Sequence, residues 1–409
     1  MPAIIMKKGR YMKIYADNAA TTKISKAALD TMIKVMEENY GNPSSLYEIG
    51  QNAKNIIEEA RETVAAALGA SPREIIFTSG GSESDNQAII TAAAIGEKKG
   101  KKHIVSTAIE HHAVLHTLYK LKNKGFSITL LPVDNNGLID LEELKNAITD
   151  DTCLVSVMFV NNEIGVIEPI EEIGKICREK GVLFHTDAVQ AAGHIKIDVG
   201  AMNIDMLSLS AHKFHGPKGI GALYFRKGIP LTAIIDGGAQ ERGKRAGTEN
   251  VPAIAGMAVA LKEATETLES NAEKTVAVRD YIIDGLNKIP YAELNGDRIK
   301  RAPSNINFCF EGIEGESLLL LLDDKGISAS SGSACTSGSL DPSHVLLAIG
   351  RPHEVAHGSL RLSIDENLTK EEADYIIKSV KETVEYLRNM SPLWRDLVTG
   401  KRKHIFEEY

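Results

Sequence analysis

The chain has 409 residues, a formal net charge of −8, 43% hydrophobic and 25% charged residues, and 4 cysteines. This length exceeds one compact core and suggests two domains of ordinary globular composition. The negative charge argues against nucleic acid as a direct partner, and no apolar run approaches the length of a membrane span. The wide spacing of the cysteines suggests neither a disulfide framework nor a metal motif, so we expect a reducing, cytoplasmic compartment.

Short β-rich runs alternate with amphipathic segments between residues 74 and 225. The seven candidate strands are 74–79, 103–108, 128–133, 153–160, 181–187, 205–210 and 220–225. The candidate helices among them include 83–97, 112–123, 140–148 and 169–180. This alternation predicts an α/β domain around a mostly parallel sheet, whose ligands bind beyond the carboxyl ends of the strands.

The pattern changes after about residue 250. Candidate helices at 251–270 and 272–287 precede a smaller α+β pattern, with strands at 305–310 and 358–364 and a helix at 316–324. The last helix is expected to start at Thr369, where the sequence T-K-E-E fits a capping box. We predict a large domain over 21–268 and a small domain formed by 1–20 and 269–409.

The first candidate strand runs into the glycine-rich stretch TSGGSESDN at 78–86. Gly80 and Gly81 let backbone amides approach a ligand, and Ser82 is expected to be the N-cap of the next helix. Amides and a helix dipole that point the same way form an anion or phosphate site. Taken alone, a plain glycine turn is favoured, because the stretch matches neither the dinucleotide fingerprint nor the P-loop.

Two later strands end in residues that suit pyridoxal phosphate. Asp187 follows the fifth strand, and Lys213 follows the sixth in a loop with Ser210 and His212. This cofactor needs a lysine for its Schiff base, an acid for its pyridinium nitrogen and a phosphate cup. His212 and His215 could instead suggest a metal site, but no matching third ligand is evident, so no metal is predicted.

Cys335 lies in the small-residue stretch GISASSGSACTSGS at 326–339. A buried structural cysteine normally has apolar neighbours, whereas this segment can hardly pack. We therefore expect a mobile, exposed loop over about 328–340, where thiolate chemistry is possible.

Motifs along nearly the whole chain resemble those of cysteine desulfurases of the iron–sulfur-cluster-assembly (NifS/IscS) type, which are class V aminotransferase-like enzymes. They include YADNAATT (15–22), TSGGSESDN (78–86), EHHAVL (110–115), VNNEIG (160–165), HTDAVQ (185–190), SAHKFHGPKG (210–219), ERGKRAGTENVP (241–252), SSGSACTSGSLDPSHVL (330–346) and SLRLS (359–363). The resemblance implies the aspartate-aminotransferase fold, that is, the PLP-dependent transferase fold type I. It predicts a mainly parallel seven-stranded sheet in the large domain and a small α+β domain that carries the cysteine loop.

The same resemblance assigns roles around pyridoxal 5′-phosphate. Lys213 would form the Schiff base, Asp187 would hold the pyridine nitrogen protonated, and His111 would stack on the ring and handle protons. Gln190 would donate to the ring hydroxyl oxygen, and Asn162 would lie near that oxygen and the substrate carboxylate.

The resemblance also implies a phosphate site shared between subunits. Gly81, Ser82, Ser210 and His212 would hold the phosphate in one chain, and Thr248 would reach across from a second subunit. The enzyme is therefore expected to be a homodimer.

Arg361 would bind the α-carboxylate of L-cysteine, since a guanidinium pairs bidentately with a carboxylate. Cys335 would then take the sulfur as a persulfide, releasing L-alanine, for iron–sulfur cluster assembly and also for tRNA thiolation. A scaffold protein or another acceptor would dock near the Cys335 loop and the C-terminal tail, where Trp394 is expected to be a docking or packing anchor. The alternatives are a selenocysteine lyase or class V aminotransferase on the same fold, and a non-enzymatic platform for cluster assembly.

Overall fold

The computed structural model describes residues 12–331 and 342–406. In it, apolar runs form strands, and the helices between them pack on the strands to give a layered α/β protein. The strands are β1 (Ile14–Tyr15), β2 (Ile75–Thr78), β3 (His103–Thr107), β4 (Ser127–Leu131), β5 (Thr152–Ser156), β6 (Leu183–Asp187), β7 (Met206–Ser210), β8 (Gly221–Phe225), β9 (Ala292–Leu294), β10 (Asn305–Phe310), β11 (Ile327–Ser328) and β12 (Ser359–Ser363). The helices are α1 (Lys26–Glu38), α2 (Glu48–Leu68), α3 (Gly81–Lys98), α4 (His112–Lys122), α5 (Leu141–Ala147), α6 (Ile170–Lys180), α7 (Gln240–Gly243), α8 (Val251–Glu266), α9 (Leu268–Leu286), α10 (Gly315–Asp324), α11 (His344–Ala348), α12 (His353–Ala356), α13 (Lys370–Met390) and α14 (Pro392–Val398).

The largest sheet has seven strands in the order β2-β8-β7-β6-β5-β3-β4. Strand β8 is antiparallel to both of its neighbours, and the other pairs are parallel. These are the seven strands expected from the sequence, so the mainly parallel sheet is confirmed. The strand expected over 153–160 ends earlier, at Ser156. Beyond it the Met158 amide donates to the Glu110 carboxylate at 2.9 Å instead of to a strand.

Helices cover both faces of this sheet, as its buried central strands require. One buried cluster joins the sheet to α2 and α8, for example through Val64, Phe184 and Met257. The other joins it to α3 and α4, for example through Ile89 and Leu118. The sheet therefore holds the ends of its parallel strands in a rigid frame.

A second group of elements contains the three-stranded sheet β12-β10-β9 and the parallel pair β1-β11. Helices α9, α10 and α13 share a buried cluster with these strands. The boundary at residue 268 between the two expected domains stays a prediction. Over the described ranges, no helix is long and apolar enough to cross a membrane.

Local capping explains where several helices begin and end. Thr369 caps α13 in a capping box with Glu372, which confirms the expected start, but α13 is not the last helix because α14 follows it. The helix expected over 251–270 instead ends at Glu266, and α9 begins at Leu268 rather than at residue 272. Thr267 separates the two helices, and its hydroxyl donates to the Glu263 carbonyl at 2.9 Å.

Candidate active site

The carboxyl ends of the parallel strands meet at one edge of the large sheet, where they border a cavity of about 270 Å³. The loops after β2, β3, β5, β6 and β7 all contribute to its wall. The residues that line it are Ala19, Ala20, Gly81, Ser82, Asp85, His111, Met158, Val160, Asn162, Asp187, Val189, Gln190, Ser210, His212, Lys213 and Arg361.

This one cavity brings together most of the residues singled out in the sequence: Gly81, Ser82, His111, Asn162, Asp187, Gln190, Ser210, His212, Lys213 and Arg361. Thr248 does not line it and is exposed in the connection before α8. Cys335 lies outside the described residues. Of the loop expected over about 328–340, Ser328 belongs to β11 and Ser330 forms a β-bridge with Arg361, so the strand pairing extends further than expected.

Lys213 projects its ammonium group toward the N-terminal segment that crosses the cavity. The turn after β7 places the residue at the end of a short 3-10 helix. Its Nζ donates to the carbonyl oxygens of Ala19 at 2.5 Å and Ala20 at 2.8 Å. The backbone carbonyl of Lys213 accepts a hydrogen bond from Nε2 of His194 at 2.9 Å. The lysine is thus anchored at its backbone, while its ammonium contacts backbone carbonyls of another segment.

Asp187 at the end of β6 is a buried carboxyl group aimed at the cavity. Its Oδ1 accepts the Val189 amide at 2.9 Å. Burial raises the pKa of Asp187, while His111 and Lys213 lower it. A buried acid that faces cationic groups is poised to bind a further cation, such as a protonated ring nitrogen.

Asp85 on α3 lies directly beside Asp187. Burial raises the pKa of Asp85 well above its ordinary value, and the Asp187 charge adds to the rise. Its Oδ1 is buried without a hydrogen-bond partner among the described atoms. The same oxygen lies 3.6 Å from Nε2 of His185, whose pKa burial lowers to about 3. The two carboxyl groups therefore share a buried space in which the charge of one opposes the charge of the other.

His111 caps helix α4 and keeps one nitrogen toward its own backbone. Its Nδ1 accepts the Ala113 amide at 3.2 Å. Burial lowers the pKa of His111, Lys213 lowers it further, and Asp187 raises it. A neutral ring whose Nδ1 accepts must carry its proton on Nε2. His111 therefore offers an Nε2–H donor.

The amino end of α3 forms the other end of the cavity. The helix starts at Gly81, with Gly80 as its N-cap, so the expected N-cap Ser82 is wrong. The chain turns at Gly80, which has φ 153°, and Ser84 donates from its amide to the Gly80 carbonyl at 3.2 Å. Because glycine supplies no capping side chain, the first amides of the helix remain suited to an anion.

Two groups at and just beyond the end of β7 line the same cavity as this helix end, namely Ser210 and His212. The Cβ that an alanine would carry at position 81 would lie 3.7 Å from Cβ of Ser210. Nδ1 of His212 lies 3.2 Å from Oγ1 of Thr21. Burial and the Lys213 charge lower the pKa of His212 to about 4, so the ring is neutral. A hydroxyl, an imidazole and helix amides are suitable donors for a phosphate.

Arg361 on β12 closes the cavity from the opposite side and is only 2% exposed. Its Nη2 donates to Oδ1 of Asp17 at 2.9 Å, and its Nη1 donates to the Asn162 carbonyl at 3.1 Å. Its Nε is buried and has no acceptor within the described part of the chain. An orphaned guanidinium donor in a cavity fits a ligand carboxylate.

Gln190 follows Asp187 in the same loop and binds the crossing segment. Its Nε2 donates to the Ala19 carbonyl at 3.0 Å, the same oxygen that Lys213 contacts. Its amide group therefore lies beside the lysine ammonium.

Sequence reasoning assigned no role to Asp17, Asp85 or the carbonyls of Ala19 and Ala20. Asp17 lies in the motif YADNAATT and Asp85 lies in TSGGSESDN. The acidic residue in each motif was the signal that could have pointed to a role. Their contacts join segments that are far apart in the sequence.

Three residues at the cavity could in principle hold a cation. Ligand atoms of Asp85, His111 and Asp187 lie within 4.8 Å of one another. Nδ1 of His111 is occupied by the Ala113 amide, and Lys213 already places positive charge nearby. This set suits an organic cation better than a metal ion. His212 and His215, the alternative metal ligands, point Nδ1 at Thr21 and the Lys23 carbonyl instead.

Comparison with known proteins agrees with this geometry. The family model described as aminotransferase class-V matches residues 14–376. The cysteine desulfurase IscS of Methanosarcina thermophila is 56% identical over 380 residues, which cover 93% of this chain and 94% of the relative. The cysteine desulfurase IscS of Clostridium botulinum strain Hall is 53% identical over 394 residues, which cover 96% and 99%.

Solved structures give the same result. A NifS-like protein superposes with a TM-score of 0.86 at 41% identity, covering 92% of this chain and 100% of its own. A structure of SspA in complex with cysteine superposes with a TM-score of 0.77 at 38% identity, covering 88% and 100%. The chain therefore belongs to the cysteine desulfurase family of class-V aminotransferase-like enzymes.

Proposed function

We propose that this chain binds pyridoxal 5′-phosphate in the cavity and removes the sulfur of L-cysteine. L-Alanine leaves, and Cys335 retains the sulfur as a persulfide. The observation that carries the proposal is the convergence of Lys213, Asp187, His111 and Arg361 on one cavity at the strand ends. Its relatives are cysteine desulfurases, and the solved structure of SspA contains cysteine.

The residues present fit pyridoxal 5′-phosphate, on which this family depends. At one end, a Cβ on Gly81 would approach Cγ2 of Val189 to 2.5 Å, so only glycine lets the helix end lie this close to the loop. At the other end, Asp187 presents a buried carboxyl group beside Asp85, whose Oδ1 lacks a partner in the described structure. The two ends match a phosphate and a protonated ring nitrogen, respectively.

When bound, the cofactor supplies an electron sink that weakens bonds at the substrate's α- and β-carbons. Asp187 would hold the ring nitrogen protonated, which would strengthen that sink. Lys213 would supply the amine that holds the cofactor, and its Nζ would hold or move the α-proton. His111 donates from Nε2 toward the substrate, and Gln190 orients the ring oxygen. Each of these groups acts from a strand end that the sheet holds rigid.

Arg361 orients the substrate. Its unpartnered Nε can donate to a carboxylate, and Nη2, which shares that edge of the guanidinium, can complete the pair with its second N–H. Asp17 holds Nη2 at 2.9 Å and so fixes the plane of the guanidinium. A hydrogen bond to a charged group contributes about 1.5–3 kcal/mol. The free energy of this contact is therefore large enough to select substrates that carry an α-carboxylate.

Cys335 is the best candidate for the sulfur acceptor because the other three cysteines are unsuited. Cys153, Cys177 and Cys309 are buried. Burial raises the pKa of Cys153 and Cys309 to about 11 and also raises that of Cys177. None of the three is therefore a thiolate at neutral pH.

The residues that flank 332–341 lie next to the cavity. Ser330 exchanges backbone hydrogen bonds with Arg361 at 3.1 and 2.7 Å. On the other side, Ser343 donates to the Glu163 carboxylate, and His344 donates from Nε2 to the Glu110 carbonyl at 3.0 Å. Cys335 is four residues beyond Ser331, which allows at most about 14 Å of extended chain. The flanking residues thus support a thiol within reach of the substrate.

In the transfer step, the Cys335 thiolate attacks the substrate sulfur. A sulfur–sulfur bond forms and the substrate's carbon–sulfur bond breaks. The bond's electrons remain on the β-carbon, which gains a proton and becomes the methyl group of alanine. The substrate sulfur is oxidised to the sulfane level and the carbon is reduced, so no external oxidant is needed.

The decisive experiment is anaerobic turnover of L-cysteine by the wild-type enzyme, Cys335→Ala and the matched control Cys153→Ala. Alanine and protein-bound persulfide are measured. We expect both products from wild type and control, and neither persulfide nor multiple-turnover alanine from Cys335→Ala. If Cys335→Ala makes alanine at the wild-type rate, the thiol is not the acceptor and the selenocysteine lyase or aminotransferase alternative is favoured.

We further propose a homodimer in which Thr248 of one chain completes the partner's phosphate site. Its exposure and its position outside the cavity of its own chain support this arrangement. Mixed dimers of Lys213→Ala and Thr248→Ala test it. If Thr248 acts across the interface, each mixed dimer contains one wild-type site and regains cofactor affinity and activity. If it acts within its own chain, no site is restored.

Downstream, we propose that sulfur passes to an iron–sulfur scaffold or another acceptor in the cytoplasm, and that tRNA thiolation is a second destination. The acceptor would dock near residues 332–341 and the C-terminal tail. Within the tail, Trp394 packs under Arg388, whose guanidinium carbon lies 4.0 Å from the ring centroid. This contact supports the packing role expected for Trp394. The docking surface would then be the outer face of α14.

A further inference from the structure

Three histidines cluster outside the cavity, on the side next to residues 332–341. His112 and His116 lie one turn apart on α4, and His344 begins α11. The ring centroid of His112 lies 5.0 Å from that of His116 and 4.9 Å from that of His344. The proposed reaction uses none of these three side chains.

Two of the three separations between these rings match those of histidines around a tetrahedral metal ion. Residues four apart on a helix share a face, which is how paired histidines bind zinc in helical motifs. A zinc–nitrogen bond of about 2.0–2.1 Å places two ring centroids roughly 5 Å apart when the ligands subtend a tetrahedral angle. The two observed separations agree with this value.

The hydrogen bond of His344 prepares one nitrogen for coordination. Nε2 must carry the proton, because it donates to the Glu110 carbonyl oxygen at 3.0 Å. The neutral ring therefore has a lone pair on Nδ1. A metal-bound histidine commonly donates its other N–H to a backbone carbonyl, which fixes the ring.

The other two rings are also suited to an ion. Burial and the neighbouring His344 and His116 lower the pKa of His112, which favours the neutral ring that a metal ion binds. His116 is exposed one helical turn from His112, so its side chain has room to turn toward an ion that the other two histidines bind.

We propose that His112, His116 and His344 bind one divalent cation of the zinc class (Zn²⁺, Co²⁺ or Ni²⁺), with water as the fourth ligand. Imidazole nitrogen suits these ions better than it suits Mg²⁺ or Ca²⁺. The ion would connect α4, which follows the proton-handling His111, to α11. It would thereby tie α11 to the helix that the cavity residue His111 caps.

Titration of the metal-stripped, cofactor-loaded full chain with Co²⁺ tests this site. We expect one Co²⁺ per chain, with visible d–d absorption, no thiolate-to-cobalt charge-transfer band, and displacement by Zn²⁺. His112→Gln, His116→Gln and His344→Gln should each weaken binding by more than the roughly 10- to 100-fold lost with an outer-shell partner. Retained cofactor absorbance shows that each variant is folded.

The chain provides a matched control in His353 and His357. These residues are also four apart on the surface, with ring centroids 4.7 Å apart. His353→Gln should leave the Co²⁺ titration unchanged. The proposal is overturned if the three variants bind Co²⁺ like wild type, or if His353→Gln removes the binding. It is also overturned if a charge-transfer band appears and Cys335→Ala abolishes it.

Discussion

Gly81→Ala tests whether the amino end of α3 holds the cofactor phosphate. The new Cβ would lie 2.5 Å from Cγ2 of Val189, whereas carbon atoms pack at about 3.5–4.0 Å. Either the helix end or Val189 must therefore move by about 1 Å. Overpacking of this kind costs about 1–3 kcal/mol. Because the displaced amides are those proposed to hold the phosphate, the cost should appear as weaker cofactor binding.

The assay is absorbance titration of cofactor-free protein with pyridoxal 5′-phosphate. A loss of 1–3 kcal/mol corresponds to a Kd raised by about 5- to 150-fold. Val189→Ala removes the atom that clashes, so the double variant Gly81→Ala/Val189→Ala should recover affinity relative to Gly81→Ala alone. The reasoning is refuted if Gly81→Ala binds the cofactor like wild type, or if the second substitution recovers nothing.

Burial raises the pKa of Glu168 to about 8, so the folded chain keeps a proton that the unfolded chain releases above roughly pH 4.5. The free energy of unfolding of wild type relative to Glu168→Gln should therefore fall by on the order of 3 kcal/mol between about pH 5.5 and 8; parallel urea-unfolding profiles would contradict this. Arg361→Lys should lower kcat/KM for L-cysteine by about 10- to 100-fold with cofactor absorbance intact, because the forked donor set is lost. Arg351→Lys is the control, and equal losses in both variants would argue against a carboxylate contact. Trp394→Ala should lower the free energy of unfolding by about 2 kcal/mol in urea, because it removes the ring under Arg388; unchanged stability would assign that ring to partner docking.

Local patterns in the sequence were sufficient for the elements of the fold. Hydrophobic period and capping residues act over a few neighbouring positions, so all seven strands and the Thr369 capping box could be predicted. The placement of Asp187 and Lys213 at strand ends followed from the same local reasoning. Errors occurred where a distant group intervened, as when Glu110 takes the Met158 amide and β5 ends early.

The candidate site depended in part on contacts that no local pattern contains. Asp17 binds Arg361 across 344 positions of the sequence, and the carbonyls of Ala19 and Ala20 meet the Lys213 ammonium across 194 and 193. The crossing of the N-terminal segment over the sheet edge, which creates these contacts, is a property of the folded chain.

The sequence by itself determined the order of the strands along the chain, the helix caps and the residue types available for chemistry. These features depend on neighbouring positions in the chain. Only the tertiary structure decided which charges share a buried space. Asp85 illustrates the difference, since its raised pKa comes from burial and from Asp187, and neither is visible in TSGGSESDN. The meeting of His112 with His344 is likewise decided by the packing of α4 near α11. Burial and long-range proximity set protonation and coordination, and both arise only when the chain folds.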